Sequence, residues 1–372
     1  MRRTTLALGI SVAWGLVVPE FGRAYTFLNV IDSTGPYSQF PPPSINAAGD
    51  VAFRGDLDAG GYAILTGNAA GTSVVADTSG PYSVFLTEVA INDGGTVVFR
   101  ADRDTVGGGI YTGPDPATDV VVDAGATLFF KNVDLFAINA QGTVVFQALV
   151  DGGPRGIFTG TSAVVDASGP FAFFGVPDIN DAGLVAFRGS LDSLQSGVYT
   201  TSGTVADTSG PYTGFGEFVS INEAGTVAFT AFLTTVMGVS GVFVGDDPAT
   251  DTIADSRGPY KTFQQPSIDN AGQVTFYATL DGGGAGIFTG PDPVADRVIG
   301  TGDPLFGSTA SSVNFFWKGS NDAGDVGFSY ILANGRFGIG IATVPEPSSA
   351  AGSLVATALL VGWRARRRKT PR

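Results

Sequence analysis

A nine-residue pattern that recurs seven times constrains the fold of this 372-residue chain more than any other feature. The pattern is Ile-Asn-x-x-Gly-x-Val-x-Phe, and successive copies of its glycine are 41 to 52 residues apart. Its turn residues are Asn46, Gly49, Asn92, Gly95, Asn139, Gly142, Asn180, Gly183, Asn222, Gly225, Gly272, Asn321 and Gly324, with Asp269 replacing Asn in the sixth copy. A period in this range is typical of solenoids and propellers.

Each copy of the pattern predicts a tight turn followed by a strand. An Asn side chain at the first turn position can accept a hydrogen bond from the backbone two residues on. A Gly at the fourth position can take the left-handed conformation that closes a hairpin. The residues after the glycine alternate, which places Val97 and Phe99 on one face of a strand.

Four short strands are predicted in the second repeat, at 73–76, 84–91, 96–102 and 109–112. Four antiparallel strands per repeat are typical of a β-propeller blade, and a closed propeller hides the sheet edges that a linear stack would expose. We therefore expect residues 25–343 to form an all-β, seven-bladed propeller. An open β-solenoid or an array of sandwiches is the alternative.

The first 24 residues have the layout of a secretory signal peptide. Arg2 and Arg3 precede an apolar run at 6–18, and Gly22 and Ala24 place small residues before the cleavage point. We expect cleavage after Ala24 and export of the remaining chain.

The last 29 residues, 344–372, combine three elements in order: Pro345-Glu346-Pro347, an apolar stretch at 350–363 and a basic cluster at 364–369. The fourteen apolar residues would span about 21 Å as a helix, short of a hydrocarbon core of about 30 Å. Positive charges favour the cytoplasmic side, so the Pro-Glu-Pro motif would face outward.

This tail resembles a PEP-CTERM sorting signal. The resemblance implies an exosortase-type processing enzyme as a partner and a transient stay in the inner membrane. It also implies delivery to the envelope, outer surface or extracellular matrix of a Gram-negative bacterium. An ordinary short C-terminal anchor is the alternative. The repeats of residues 26–343 resemble those of the choice-of-anchor tandem-repeat family, which carries no catalytic residues to transfer.

Composition excludes several classes of function. The chain has neither His nor Cys, so a Ser-His-Asp triad, a cysteine nucleophile and thiolate metal sites are impossible. Residues 25–347 carry 11 Lys and Arg against 33 Asp and Glu. Nucleic-acid binding requires the opposite charge, so we expect no nucleic-acid partner and a monomeric body.

Carboxylates are the remaining candidates for acid–base chemistry. Asp56/Asp58 and Asp102/Asp104 form pairs at matching places in two repeats, and paired carboxylates can hydrolyse glycosides. Recurrence in several repeats favours a turn function instead, because an active site is normally asymmetric among repeats. We therefore predict no catalytic residues.

A second acidic element, Pro-Asp-Pro-Ala-Thr-Asp at 114–119, is echoed at 247–251 and 291–296. Calcium prefers oxygen-rich clusters of this kind, although the spacing matches no known calcium loop. We predict no cofactor and no metal site, with calcium as the alternative.

These observations predict a non-enzymatic surface protein that binds a polysaccharide or another surface protein through its loops. The alternative is a secreted carbohydrate-active hydrolase or lyase that uses paired carboxylates. The seventh repeat diverges most, and 313–318 includes the only Trp of the body, Trp317. Its aromatic cluster could stack on a sugar ring, but packing in the core of the closing blade is favoured.

Overall fold

Seven antiparallel sheets surround one axis in the computed structural model of this chain. The structure describes residues 25–104, 107–123, 128–129 (backbone only), 136–150, 153–234 and 238–344. Within these ranges the regular elements are all strands. Each sheet is a four-stranded propeller blade, whose innermost strand is broken into two segments in blades 1, 3 and 4, and blade 7 has one additional short strand. The prediction of an all-β, seven-bladed propeller is confirmed.

The blades follow one another along the chain, and blades 1 to 6 each run from the strand nearest the axis to the outermost strand. Blade 1 contains β2 (Tyr37–Gln39), β3 (Ser44–Ile45), β4 (Val51–Leu57), β5 (Tyr62–Asn68) and β6 (Gly71–Asp77). Blade 2 contains β7 (Tyr82–Ile91), β8 (Val97–Arg103), β9 (Gly108–Tyr111) and β10 (Val120–Asp123). Blade 3 contains β11 (Leu128–Phe129), β12 (Phe136–Ile138), β13 (Val144–Val150), β14 (Arg155–Thr159) and β15 (Ser162–Asp166).

The remaining blades repeat this plan. Blade 4 contains β16 (Phe171–Phe174), β17 (Asp178–Ile179), β18 (Val185–Leu191), β19 (Ser196–Thr200) and β20 (Gly203–Asp207). Blade 5 contains β21 (Tyr212–Ile221), β22 (Val227–Leu233), β23 (Ser240–Phe243) and β24 (Thr252–Asp255). Blade 6 contains β25 (Tyr260–Ile268), β26 (Val274–Leu280), β27 (Ala285–Phe288) and β28 (Arg297–Gly300). Blade 7 contains β29 (Pro304–Leu305), β30 (Ser308–Asn314), β31 (Val326–Leu332), β32 (Phe337–Thr343) and β1 (Thr26–Asp32).

The two ends of the described chain meet in blade 7. Strand β1 is its outermost strand and pairs antiparallel with β32, from Thr26 opposite Thr343 to Asp32 opposite Gly338. This pairing closes the ring, because blade 7 takes its other strands from the C-terminal end of the body. A propeller closed in this way leaves no gap between its first and last blades.

The predicted boundaries of the repeat unit are wrong by one strand. The sequence pattern places the segment at 73–76 in the second repeat, but this segment lies in β6, the outermost strand of blade 1. Strand β6 pairs with β5 through the short connection from Asn68 to Gly71, and this local pairing decides its blade. The repeat in sequence and the blade in space are therefore offset.

The core lies between adjacent blades. One of its clusters joins Ala52 and Ile64 of blade 1 to Tyr82, Phe85 and Phe99 of blade 2, all fully buried. Tyr82 and Phe99 meet edge to face at 5.7 Å between ring centroids. Burial of apolar area at about 25 cal/mol per Å² makes these interfaces the main source of stability.

Within the part of the chain described here, no helix is long and apolar enough to cross a membrane.

Candidate functional site

The repeated Asn side chains form a hydrogen-bonded ring around the axis. In six of the seven repeats Nδ2 donates to the backbone carbonyl of the matching residue in the next blade, at 2.9–3.3 Å. The last of these bonds runs from Asn321 to Asn46 and joins blade 7 to blade 1. Asp269 holds the position in blade 6, and its backbone carbonyl accepts the bond from Asn222.

The same side chains stabilise their own turns. In all seven repeats the side-chain oxygen accepts the backbone N–H four residues on, at 2.7–2.9 Å. The expected contact two residues on is an additional bond at Asn46 and Asn321. The glycine of each turn has φ between +79° and +84°. Each buried Asn therefore serves both a local turn and an inter-blade contact, which accounts for its recurrence without a ligand.

An acidic mouth surrounds one end of the axis, where the residue after each Asn lies. Asp93, Asp181 and Asp322 belong to this set, and their carboxylates accept backbone N–H groups of the preceding blade at 2.8 Å. The cavity that they help to line is about 150 Å³. Among the described residues, no three carboxylates are grouped so as to hold a metal ion. The acids of this mouth bind the protein's own backbone.

The acidic loops are also internally bonded. In the loop at 114–119, Asp119 accepts the backbone N–H of Asp115, and Asp115 accepts that of Ala117. The loops at 247–251 and 291–296 repeat both contacts. Backbone N–H groups of Val294 and Ala295 lower the pKa of Asp292 below its usual value. The geometry is that of a turn stabilised by its own carboxylates.

The paired acids lie on the hairpins between the second and third strands of blades 1 and 2. Asp56 is held by Arg54, with Nε 2.8 Å from Oδ1, and Arg54 also donates to the carbonyl of Phe85 at 3.0 Å. The Asp102 carboxylate lies directly over Gly108, where a side chain would collide with it. The ion pair gives Asp56 a structural partner within its own blade, whereas Asp102 leaves room at position 108 for Gly alone.

One segment of blade 7 crosses the axis. Residues 315–319, which we call the plug, follow β30 and reach blade 4 on the opposite side of the ring. Trp317 is fully buried and shares a cluster with Phe174 and Ile179. Lys318 Nζ lies 2.5 Å from Oδ1 of Asp178, a carboxylate with no exposed surface. The indole ring of Trp317 is therefore a core group, and not a platform for a sugar.

A second cavity of about 420 Å³ lies above the plug, at the end of the axis opposite the acidic mouth. We call it the plug-side mouth. It forms where the strands nearest the axis in blades 1, 2, 6 and 7 have a bulge or come to a break. Its lining includes Glu88, Gln264, Gln265, Tyr277 and Phe316. This mouth therefore combines aromatic and polar side chains in one cavity.

Sequence reasoning singled out Phe316 with its neighbours but missed Gln264, Gln265 and Tyr277. Departure from the repeat could have revealed Tyr277, because it follows the repeated Phe at a position where the sister blades differ from it. Those blades carry Arg54, Arg100, Gln147, Arg188, Thr230 and Ser329. The sorting motif Pro345-Glu346-Pro347 and the cleavage residue Ala24 lie outside the described residues.

No protein-family model and no curated protein matches the chain. Among solved structures, it is similar to BBS1N in complex with ARL6DN at 12% identity and a TM-score of 0.44, over 87% of this chain and 98% of that one. It is similar to the WD40 β-propeller domain of Doa1 at 10% identity and a TM-score of 0.39, over 87% and 98%. A gluconolactonase from Xanthomonas campestris is similar at 13% identity and a TM-score of 0.34, over 85% and 100%.

Proposed function

We propose that this chain is an exported, non-enzymatic propeller of the bacterial envelope or extracellular matrix, which binds a glycan or protein ligand at the plug-side mouth. One observation supports the proposed binding function. The residues that recur in every blade bond to the protein itself, whereas the plug-side mouth is lined by residues that differ from blade to blade. An asymmetric cavity of this kind on a repeated scaffold favours ligand binding at that place.

The positions of the chain ends support attachment by a removable leader and a sorting tail. Thr26 and Thr343 lie side by side at the outer edge of blade 7, with 3.0 Å between their hydroxyl oxygens. Residues 1–24 and 344–372 therefore join the propeller at one place on its rim. Because β1 begins at Thr26 and β32 ends at Thr343, cleavage outside these residues leaves the ring of blades complete.

The hydrolase or lyase alternative has less support. Its two acid pairs lie in different blades, and Asp56 is ion-paired with a nearly buried Arg54. A glycosidase needs two carboxyl groups that flank the glycosidic bond, one that donates a proton and one that is ionised. The ion pair of Asp56 favours a structural function for this carboxylate.

Mutation of the tail tests the sorting part of the proposal. In a host with an exosortase-type enzyme, Glu346→Ala should leave export intact but block processing, so the full-length chain accumulates in the membrane. The matched control is Asp292→Ala, which alters a similar Pro-Asp-Pro tripeptide inside the propeller. Intact mass measures processing. Retention of Arg372 by the wild type, or identical trimming of Glu346→Ala, would overturn this assignment.

A further inference from the structure

The plug-side mouth has the dimensions of a small-molecule site. Its volume of about 420 Å³ falls within the range of roughly 300–1,000 Å³ that is typical of ligand pockets. The plug forms part of its wall, because Phe315 and Phe316 both line it while Trp317 and Lys318 lie in the core and across the axis. The buried anchoring of Trp317 holds Phe316 in place before any ligand arrives.

Two aromatic side chains supply apolar surface in this cavity. Tyr277 is half-buried and packs against the core cluster of blade 7. Phe316 is also half-buried, and its ring lies 5.9 Å from that of Trp317. The C–H faces of a sugar ring are apolar, so they pack against partly exposed aromatic rings of this kind.

Amide groups supply hydrogen bonds beside the aromatic rings. Gln264 and Asn314 are exposed on the cavity lining, and Gln265 is half-buried. Each amide offers two N–H donors and one acceptor oxygen, which match the paired donor and acceptor character of sugar hydroxyls. The Thr87 hydroxyl lies 2.6 Å from Oε1 of Glu88, so a carboxylate acceptor is also oriented here.

The backbone of Gln265 is strained at this point. It has φ of +46° in the bulge of β25, directly before Pro266. The other non-glycine residues with positive φ in the described chain are Leu194 and Phe306, and both lie in tight hairpin connections. Gln265 has no such hairpin to account for it. Strain of this kind persists where surrounding structure enforces it, and it is concentrated at binding sites.

Charge limits the class of saccharide. Among the described residues, the lining of the mouth contains one carboxylate, Glu88, and neither Lys nor Arg. The whole chain carries a formal net charge of −14. An acidic sugar would meet repulsion without a compensating cation, so a neutral sugar is favoured.

We propose that the plug-side mouth binds a neutral hexose unit of an oligosaccharide, with Tyr277 and Phe316 against the sugar ring and the amides of Gln264 and Gln265 on its hydroxyls. This inference rests on the proposed function of the chain as a binding protein, and it names the class of ligand. No bond is made or broken in this binding.

Titration calorimetry with the full chain in mild detergent tests the site. The probes are six-residue oligomers of α-1,4-glucose, β-1,4-glucose, β-1,4-mannose and β-1,4-galactose, with hexagalacturonate as the acidic counterpart. At least one neutral oligomer should bind, and hexagalacturonate should bind at least tenfold more weakly. Phe316→Ala and Gln264→Ala should each weaken binding of the neutral oligomer by tenfold or more.

Matched controls lie outside the mouth. Lys261→Ala changes an exposed side chain three residues before Gln264 on the same strand, and Phe232→Ala removes an exposed aromatic ring from blade 5. Both should bind the oligomer within twofold of the wild type. All variants should keep the wild-type circular dichroism spectrum and melting temperature within a few degrees. If Phe316→Ala destabilises the chain, the binding measured for Gln264→Ala alone tests the saccharide site.

Absence of binding by all four neutral oligomers, or unchanged binding by Gln264→Ala, would overturn the saccharide site. Tighter binding of hexagalacturonate would overturn its neutral specificity. Assay of new reducing ends in the same mixtures separates the two proposals. Cleavage of a bound oligomer would refute the non-enzymatic function while supporting a saccharide site, whereas no binding with normal export would refute the site alone.

Discussion

Lys318 of blade 7 and Asp178 of blade 4 form an ion pair across the propeller axis, with 2.5 Å between Nζ and Oδ1. The other oxygen of Asp178 accepts the backbone N–H of Ile221 at 2.9 Å, so this carboxylate also contacts blade 5. Three blades are thereby joined at the axis by two side chains. This ion pair and the packing of Trp317 against blade 4 together hold the plug across the axis.

Substitution of Lys318 should destabilise the fold, and a second substitution at Asp178 should restore part of the lost stability. Lys318→Met leaves the buried Asp178 without its ion pair. We expect this substitution to lower the free energy of unfolding by about 2–4 kcal/mol. This loss is near the lower end of the values for broken buried ion pairs, because Lys318 is partly exposed. The double variant Lys318→Met/Asp178→Asn removes the charge as well and should recover at least half. Urea unfolding of wild type, both single variants and the double variant measures this. Additive losses would show that the two residues are not coupled.

The contribution of the Asn ring to stability can be measured separately from the contribution of the turns. Asn222→Asp keeps the oxygen that accepts the Thr226 N–H but removes the donor to the Asp269 carbonyl. We expect a loss of about 1–2 kcal/mol, because a buried carbonyl loses its partner. Asn222→Ala removes both contacts and should cost more. Thermal and urea unfolding compare the two, and an Asp variant as stable as the wild type would exclude a role for the ring.

Backbone conformation at the repeated glycines should dominate their tolerance to substitution. Gly183 has φ of +79° and open space around its Cβ position, so Gly183→Val is opposed by backbone conformation and not by a clash. We expect a cost above about 1 kcal/mol, since a β-branched residue is strongly disfavoured there. Gly282 also has open space, but its φ is not in the left-handed region. Gly282→Val should be milder, and equal losses in urea unfolding would contradict this account.

The carboxyl groups in the connections between successive blades, such as that of Asp77, should make the stability of the fold depend on pH. The Ser79 hydroxyl and then the Ser79 N–H donate to Asp77 and lower the pKa of its carboxyl. Because the folded pKa lies below the unfolded one, the stabilisation is present above the unfolded pKa of about 3.9 and is lost as the pH falls through the folded value.

Ser79→Ala should therefore raise the pKa of Asp77 and reduce the loss of stability between pH 5 and pH 3. Carboxyl titration by NMR and urea unfolding at both pH values measure these two effects. Ser83→Ala is the control, because that hydroxyl donates to a backbone carbonyl that does not titrate. An unchanged Asp77 pKa in Ser79→Ala would refute the assigned cause.

Ring closure predicts which fragment can fold. Residues 25–343 contain every strand of the seven blades, so this fragment should be a soluble monomer with a β-type circular dichroism spectrum and cooperative melting. A fragment of 34–343 lacks β1, which exposes the edge of β32. We expect it to melt at a lower temperature or to aggregate. If both fragments melt alike, the closure by β1 does not stabilise the ring.

Much of the fold could be predicted from sequence because it depends on short-range chemistry. The Asn-x-x-Gly turn, the alternation that buries Phe99 and the period of 41 to 52 residues all act within one repeat. These features specify strands, their direction and their number. The repeated turn glycines could be identified for the same reason, since a single position determines its own φ.

Contacts between distant residues could not be predicted in this way. The bond from Asn321 to Asn46 joins residues 275 apart in the chain, and it requires the ring to close after seven blades. Asp32 belongs to blade 7 although it precedes blade 1, because β1 pairs with β32.

The candidate site is the clearest case of tertiary structure deciding what local pattern could not. Trp317 and Phe316 are neighbours in one aromatic run, yet the first is buried against blade 4 and the second lines the plug-side mouth. Gln265 and Glu88 come from different repeats and share that cavity only because blades 6 and 2 face the same end of the axis. The sequence by itself determined the repeated turns and strands, because these depend on short-range chemistry, and only the tertiary structure decided which strands form one blade and which departures from the repeat meet.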